Sequence, residues 1–450
     1  MLAAKRLALI VVLMLVLHSG CGQVIRSDAD LFHEWLSEQL VAVESIDFPL
    51  SSHAQEFFRT AMGSARVVGI GESRHDTREQ LRLKGLLIRH LVEDLGFRAL
   101  IIEESCPHAE AIDRYVTSGE GDLHLVMEGL AGWYLWDTEE MGEFIEWIRQ
   151  FNDDREAAQQ VRIFGMDITA PALGVEAVLR DLHAAGIGEH LNAADLGLEL
   201  QTGDDWPTTW ERYRALSGER KEELAGFYRQ LADLLKEQRL RLVTQSSEKQ
   251  YQRLLLFAEI GGMGNALFSA KTREQGGAIR EHGMAQVTLR VLDRELPGEK
   301  AVIWAHNLHV AKSSFRMPSL AEGRLDPMGV YLSEALGDAY LAIGGAFGKG
   351  TFPADHPPGK RSFDVLTEDV MDGALARADV STFLLDLRDT EAASGAARWL
   401  QQEREWNVQD SRAILVPSAA YDLVYFVAQI SRSHLTARAM ERFQTLGVQN

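Results

Sequence analysis

The amino-acid sequence predicts an α/β fold, a largely parallel central sheet flanked by helices and carrying an all-helical insertion. Three observations lead there. Short apolar runs recur along the chain, segments of helical periodicity separate them, and the stretch from 196 to 285 has no strand signal. The runs are ARVVGIG, RALIIE, VRIFGMD, KAVIWAH, YLAIGGAFG, TFLLDL and YDLVYFV. Their apolar residues fall on consecutive positions, as expected of strands covered on both faces.

Taken in order, the chain opens with MLAAKRLALIVVLMLVLHSGCGQ, in which Lys5 and Arg6 precede an apolar core from Leu7 to Leu17. This reads as a secretory signal over 1–20, too short to favour a spanning helix. The HSGC that ends it resembles a bacterial lipobox, which implies that Cys21 is lipidated and that the protein is exported and held at the cell envelope, facing the periplasm or the outside. Only Cys21 and Cys106 exist, so a lipid on Cys21 leaves no intramolecular disulfide. Cys106 reads as a small buried thiol.

The rest is read as one α/β catalytic body in two parts, 30–195 and 286–450, with the helical insertion 196–285 between them. Positions 78–95 show how its helices are built. Leu83, Leu87, Leu91 and Leu95 form one ridge with Leu86, Ile88 and Val92 alongside, and Gly96 stops the helix. The insertion is rich in Glu, Lys, Arg and Gln, with leucines at helical spacing. It reads either as a lid over a site or as helices packed on the sheet's outer face. Lys+Arg 46 against Asp+Glu 66 gives a formal charge of -20, with no basic stripe after the first few residues. Nucleic acid is disfavoured as a partner, because phosphate binding needs concentrated Lys and Arg. The oligomeric state is not legible.

Chemistry collects where strands stop. VVGIGE ends in Glu72 with His75 next, ALIIE ends in Glu103, RIFGMD ends in Asp167, and AVIWAH ends in His306 with His309 following. In open α/β sheets, ligands bind outside the carboxyl ends of the strands, where loops converge and helix N-termini present free N–H groups. A buried carboxylate beside a histidine can orient the ring and raise its basicity, so that it takes a proton from water or a hydroxyl. Two carboxylates and three histidines could also ligate zinc or another divalent metal, although no H-E-x-x-H occurs. Lys84, nine residues after His75, would balance the carboxylates or stabilise an oxyanion if it turned inward. Trp133, Tyr134 and Trp136 could line a pocket. In GESRHDTRE, Glu72 and His75 are expected to face a cleft, and Arg74 and Arg78 to face solvent.

Other enzyme classes fare worse. No G-x-S-x-G elbow, P-loop or dinucleotide fingerprint is present, and GAFGKGT has the wrong spacing for either glycine motif.

The segments GIGESRHDTREQLRLKGLLIRHLVEDLGFRALIIEES, WYLWDTEEMGEFIEWIRQFN, VRIFGMDI, REHGMAQVTLRVL and VIWAHNLHVAK resemble, in that order, the blocks of the erythromycin esterase family. The resemblance implies hydrolysis of a carboxylic ester or lactone without a metal or other cofactor. It makes His75 the base that activates water, Glu72 and Glu103 essential acids, and His306 and His309 the family's further histidines. Lys84 stands where some members have arginine, which keeps the charge but loses the bidentate fork. Glu281, Gln286 and Leu308 also depart from the family pattern. Glu79, Trp136 and Asp167 are expected at the substrate. Two alternatives stay open: a metal-dependent hydrolase or peptidase of the same fold, and a haem- or small-ligand-binding lipoprotein without turnover.

Overall fold

The computed structural model describes residues 26–441 apart from 48, 129–135, 202–205, 319, 321–322, 352–361, 364–369, 392–393 and 410. The expected signal segment with Cys21, and the aromatics Trp133 and Tyr134, lie outside the described residues.

The strands are β1 (Val41–Ala42), β2 (Val67–Ile70), β3 (Ala99–Ser105), β4 (Arg162–Asp167), β5 (Ala301–Trp304), β6 (Tyr340–Thr351), β7 (Ser362–Phe363), β8 (Thr382–Asp386), β9 (Arg404–Val408), β10 (Ser411–Leu415) and β11 (Leu423–Ile430). Their order across the main sheet is β1-β8-β11-β6-β2-β5-β3-β4, with β7 paired to β6 and a separate β9–β10 hairpin. Neighbours from β11 to β4 run parallel, whereas β8 is antiparallel to both β11 and β1. The fold is therefore mixed α/β with a large, mostly parallel sheet. β1 and β7 are only two residues long and the REWNV of β9 is interrupted by charge and amide, which is why the sequence does not announce them.

Alternating strand residues feed two cores. Val67, Ile101, Ile303 and Ala342 point to one face, and Val68, Leu100, Val302, Trp304 and Ile343 to the other. The second face is covered by helices Ser52–Met62, Arg78–Glu93, Cys106–Ser118 and Glu139–Asn152. The Arg78–Glu93 helix buries Leu83, Leu87, Ile88, Leu91 and Val92, the expected ridge. Gly96, just beyond its end, has a left-handed φ of 73°.

The first face carries the helix-rich stretch. Helices Gly218–Glu237, Arg239–Gln245, Glu248–Phe268 and Arg273–Arg294 follow one another, the third packing on helix Pro171–Ala184 and the fourth against β4. Leu224, Leu231, Leu254, Phe257 and Met284 join the same apolar core as the sheet residues. The last helix runs on past 285 and delivers the chain to β5. Among the described residues no helix is long and apolar enough to cross a membrane.

One irregularity aims the site. The register between β3 and β4 shifts between Ile102 and Ser105, and Glu103 and Glu104 are both buried there. Such a bulge redirects side chains at a strand end. It also brings the carbonyl oxygens of Glu104 and Ser105 over Gly165, where a Cβ would stand 2.5–2.6 Å from them. Only glycine accommodates that approach.

Candidate active site

The strand order decides what meets. Because β5 pairs with both β2 and β3, His306 after β5 falls between Glu72 after β2 and Glu103 at the end of β3. The loop leaving β2 packs so closely on Asn307 that a Cβ on Gly71 would sit 2.8 Å from the Asn307 Cα. Asn307 donates its backbone N–H to the Glu72 carbonyl at 2.8 Å, and its side chain exchanges two hydrogen bonds with the Gly345 backbone on β6. The ends of β2 and β5 are thus fixed to the middle of β6 at one point.

Glu72 is fully buried. One oxygen lies 2.8 Å from His75 Nδ1, and the other pairs with the Lys84 ammonium. Lys84 is itself fully buried; it donates to the Ala305 carbonyl at 3.1 Å and stands 4.7 Å from the centre of the Trp304 ring. Burial drives this ammonium well below the ordinary lysine range, with the negative charge of Glu103 opposing. Glu72 holds the His75 ring by Nδ1, so that Nε2 is the nitrogen that would act as base. His75 keeps 15% of its side chain exposed, while Glu72 and Lys84 below it keep none. Its pKa is lowered, burial being the main cause and Glu103 acting against it.

His306 is neutral and fully committed. Its Nε2 N–H donates to the Ser73 carbonyl at 3.0 Å, and its Nδ1 accepts the Leu308 N–H at 3.2 Å, capping the short helix that follows. Burial pushes its pKa well below the usual histidine value, and the neighbouring His75 and His309 push the same way. Its ring centre lies 5.1 Å from that of His75 and 6.2 Å from that of His309.

His309 stands between two carboxylates, Glu281 Oε1 at 2.7 Å from Nδ1 and Glu103 Oε1 at 3.0 Å from Nε2. Burial alone would lower its pKa, but Glu103 and Glu281 outweigh it and raise the value to about 10. Glu103 accepts the His306 backbone N–H at 2.9 Å with its other oxygen. Burial would raise its pKa, yet the charges of His309, His75 and Arg280 hold it well below the carboxylate range.

Arg280, on the Arg273–Arg294 helix, is the residue that sequence reasoning missed. Its guanidinium reaches Asp167 at 3.2 and 2.8 Å and Glu103 at 2.8 Å, tying the ends of β3 and β4 together. The signal was present: it is the arginine that opens REHGMAQ, beside Glu281.

The expected site residues divide clearly. Glu72, His75 and Lys84 form one bonded group and Glu103, Asp167, Arg280 and His309 a second, with His306 bonded to Glu103 through its backbone N–H and its ring 5.1 Å from that of His75. Trp136 is buried, its ring 5.9 Å from His75 and 6.0 Å from Trp304, and it forms an aromatic wall. Glu79 stands apart from both groups, because its two oxygens accept the N–H and hydroxyl of Ser431 at 2.6 and 2.7 Å. Arg74 does not face solvent as its position suggested: it is 2% exposed and forms two 2.9 Å bonds to Asp76, which Arg432 also binds. Partners from the β9–β10 hairpin and the segment after β11 draw it in. Cys106 is buried, and burial raises its thiol pKa far above the usual value.

As a metal site the cluster is poorly disposed, since both nitrogens of His306 are taken and both of His309 face carboxylates. Among the described residues no three His, Cys, Asp or Glu side chains are placed to hold an ion.

An acid–histidine network at the carboxyl ends of a mostly parallel sheet defines an α/β enzyme, and the class its relatives support is a hydrolase. The family model for erythromycin esterase matches residues 92–430, and the chain belongs to that family. Glu103, Asp167, Arg280, His306 and His309 fall within the matched stretch, whereas Glu72, His75 and Lys84 precede it. Erythromycin esterase type II of Escherichia coli is 25% identical over 335 residues, covering 70% of this chain and 76% of the relative. The putative hydrolase YbfO of Bacillus subtilis is 21% identical, with 90% and 93% covered. Among solved structures, a Bacillus cereus protein superposes with a TM-score of 0.76 at 21% identity, covering 91% of this chain and 99% of that one. A mutant of erythromycin esterase EreC in its open conformation gives 0.70 at 19% identity, covering 88% and 99%. These two structures share the fold.

Proposed function

We propose that the protein hydrolyses a carboxylic ester or lactone by direct attack of water, with His75 as the general base. The observation that carries this reading is the Glu72–His75 pair held on Lys84, with Glu103 and His309 adjacent. Glu72 fixes the ring by Nδ1, Lys84 keeps Glu72 in place, and Nε2 takes a proton from water as its oxygen attacks the carbonyl carbon. The same nitrogen then returns the proton to the leaving alkoxide. Trp136 supplies an apolar wall beside the base. No serine or cysteine nucleophile is needed, and no metal enters the steps. A macrolide lactone is the first substrate to try, because two relatives are named erythromycin esterases.

The test is hydrolysis of p-nitrophenyl esters and macrolide lactones by purified protein, with and without a chelator. Activity that survives chelation supports the reading. Loss on chelation and return with zinc would favour the metal-dependent alternative, and inactivity on both substrate sets would remove the esterase reading.

The lowered pKa of His75 sets the pH dependence. The base must be neutral to act, so kcat/KM should rise with pH through a limb below 6.5, the ordinary histidine value. A limb above that value in the pH–rate profile would contradict the assignment. We also propose that the protein works at the cell envelope, anchored through Cys21. Palmitate labelling of the expressed protein should then disappear in Cys21→Ala, and labelling absent from both forms would count against the anchor.

A further inference from the structure

Proton bookkeeping at His309 singles out Arg280. The Nε2 of His309 is approached by Glu103 Oε1 at 3.0 Å and by Arg280 Nη1 at 3.2 Å. A neutral imidazole could accept from the arginine at Nε2, whereas an imidazolium presents an N–H there and is paired by charge with the carboxylates. With Glu281 at 2.7 Å on the other nitrogen, two anions flank the ring, and the charged form prevails. The 3.2 Å contact is then between two donors and satisfies neither. Arg280 spends Nε and Nη2 on Asp167 and Glu103, which leaves the Nη1 N–H groups without a protein acceptor in this network.

The Arg280 side chain is more exposed than the floor of the cluster. Arg280 keeps 20% of its side chain exposed and His309 10%, against 0% for Glu72 and Lys84 on the floor. The His309 ring that Arg280 Nη1 approaches lies 6.2 Å from the His306 ring, which in turn lies 5.1 Å from that of His75. We propose that Arg280 Nη1 is an oxyanion donor: it receives the carbonyl oxygen of the ester while water activated by His75 attacks the carbon.

This rests on the ester-hydrolysis reading. In the step, the water oxygen bonds to the carbonyl carbon, its proton passes to His75 Nε2, and the C=O π pair moves onto the oxygen facing Arg280. Collapse breaks the C–O bond to the leaving group, which takes the proton back from His75. Fixed cations aimed at developing charge act mainly on the transition state. Arg280 is held in place before substrate arrives by Asp167 and Glu103, which is the preorganisation such a donor needs.

The experiment compares wild type, Arg280→Lys and Arg280→Ala on p-nitrophenyl butyrate. The expected result for Arg280→Ala is a fall in kcat of about 10²–10³ with KM changed by less than about threefold. Millimolar guanidinium should restore part of that rate, and should restore none to His75→Gln. Arg280→Lys, which keeps a cation for Asp167 but loses the fork, guards against a folding failure of the alanine variant; it should retain the wild-type Tm while kcat falls about tenfold or more. Wild-type kcat in Arg280→Lys would overturn the proposal alone. So would a loss in which KM and Tm move together and guanidinium rescues nothing. A wild type inert towards esters would overturn both the proposal and the reading beneath it.

Discussion

His75→Gln is expected to lower kcat for ester hydrolysis by about a hundred- to ten-thousand-fold while leaving the melting temperature near that of wild type. Glutamine retains a polar group that can hydrogen-bond to Glu72 but has no nitrogen basic enough to take a proton from water. The side chain is partly exposed and belongs to neither apolar core, so its loss opens no cavity. Steady-state kinetics with thermal unfolding of the same preparation decide the matter. Residual activity within tenfold of wild type would assign the base elsewhere. His306 and His309 are poor substitutes, one having both nitrogens hydrogen-bonded and the other lying between two carboxylates.

The largest expected effect on stability comes from Lys84→Met. The ammonium is fully buried against an equally buried Glu72, and removing one partner of such a pair strands the other charge. The expected cost is about 3–5 kcal/mol, read by chemical or thermal denaturation. Methionine has nearly the shape of lysine, so packing loss contributes little, and the cation over Trp304 and the bond to the Ala305 carbonyl disappear as well. Activity should fall too, because Glu72 can then take up a proton and no longer hold His75 as an anion. Lys84→Gln/Glu72→Gln, which replaces the charged pair with two amides, should recover stability without recovering turnover. A Lys84→Met protein as stable as wild type would show that Glu72 needs no cation and that the floor of the site is not coupled to its base.

Much of this architecture is legible in local sequence. The runs containing β2, β3, β4, β5, β6, β8 and β11 stand out because a strand buried on both faces must be apolar at consecutive positions. Ionisable residues at four strand ends stand out for the converse reason, since a charge that interrupts an apolar run at its carboxyl end is costly unless it meets a partner. The helix Arg78–Glu93 is readable from its leucine ridge. Glu79 shows where such reading stops: it sits four residues from His75, yet its partner is Ser431, more than three hundred positions away in sequence. Arg74 fails for the same reason: Asp76 is local, but the Gln409 carbonyl that Arg74 donates to and the Arg432 that shares Asp76 are more than three hundred positions away.

By itself, then, the sequence determined the elements, the α/β class and the set of charged groups placed at strand ends, because each follows from periodicity and solvation along a few consecutive residues. Tertiary structure alone decided that β5 lies between β2 and β3, so that His306 is set between Glu72 and Glu103. It also decided that Arg280 leaves its helix face to join Glu103 and Asp167, and that Arg74 is buried. Strand order and charge burial are settled by crossover connections and by partners distant in sequence. The energy of such a pair exists only once the chain has closed around it.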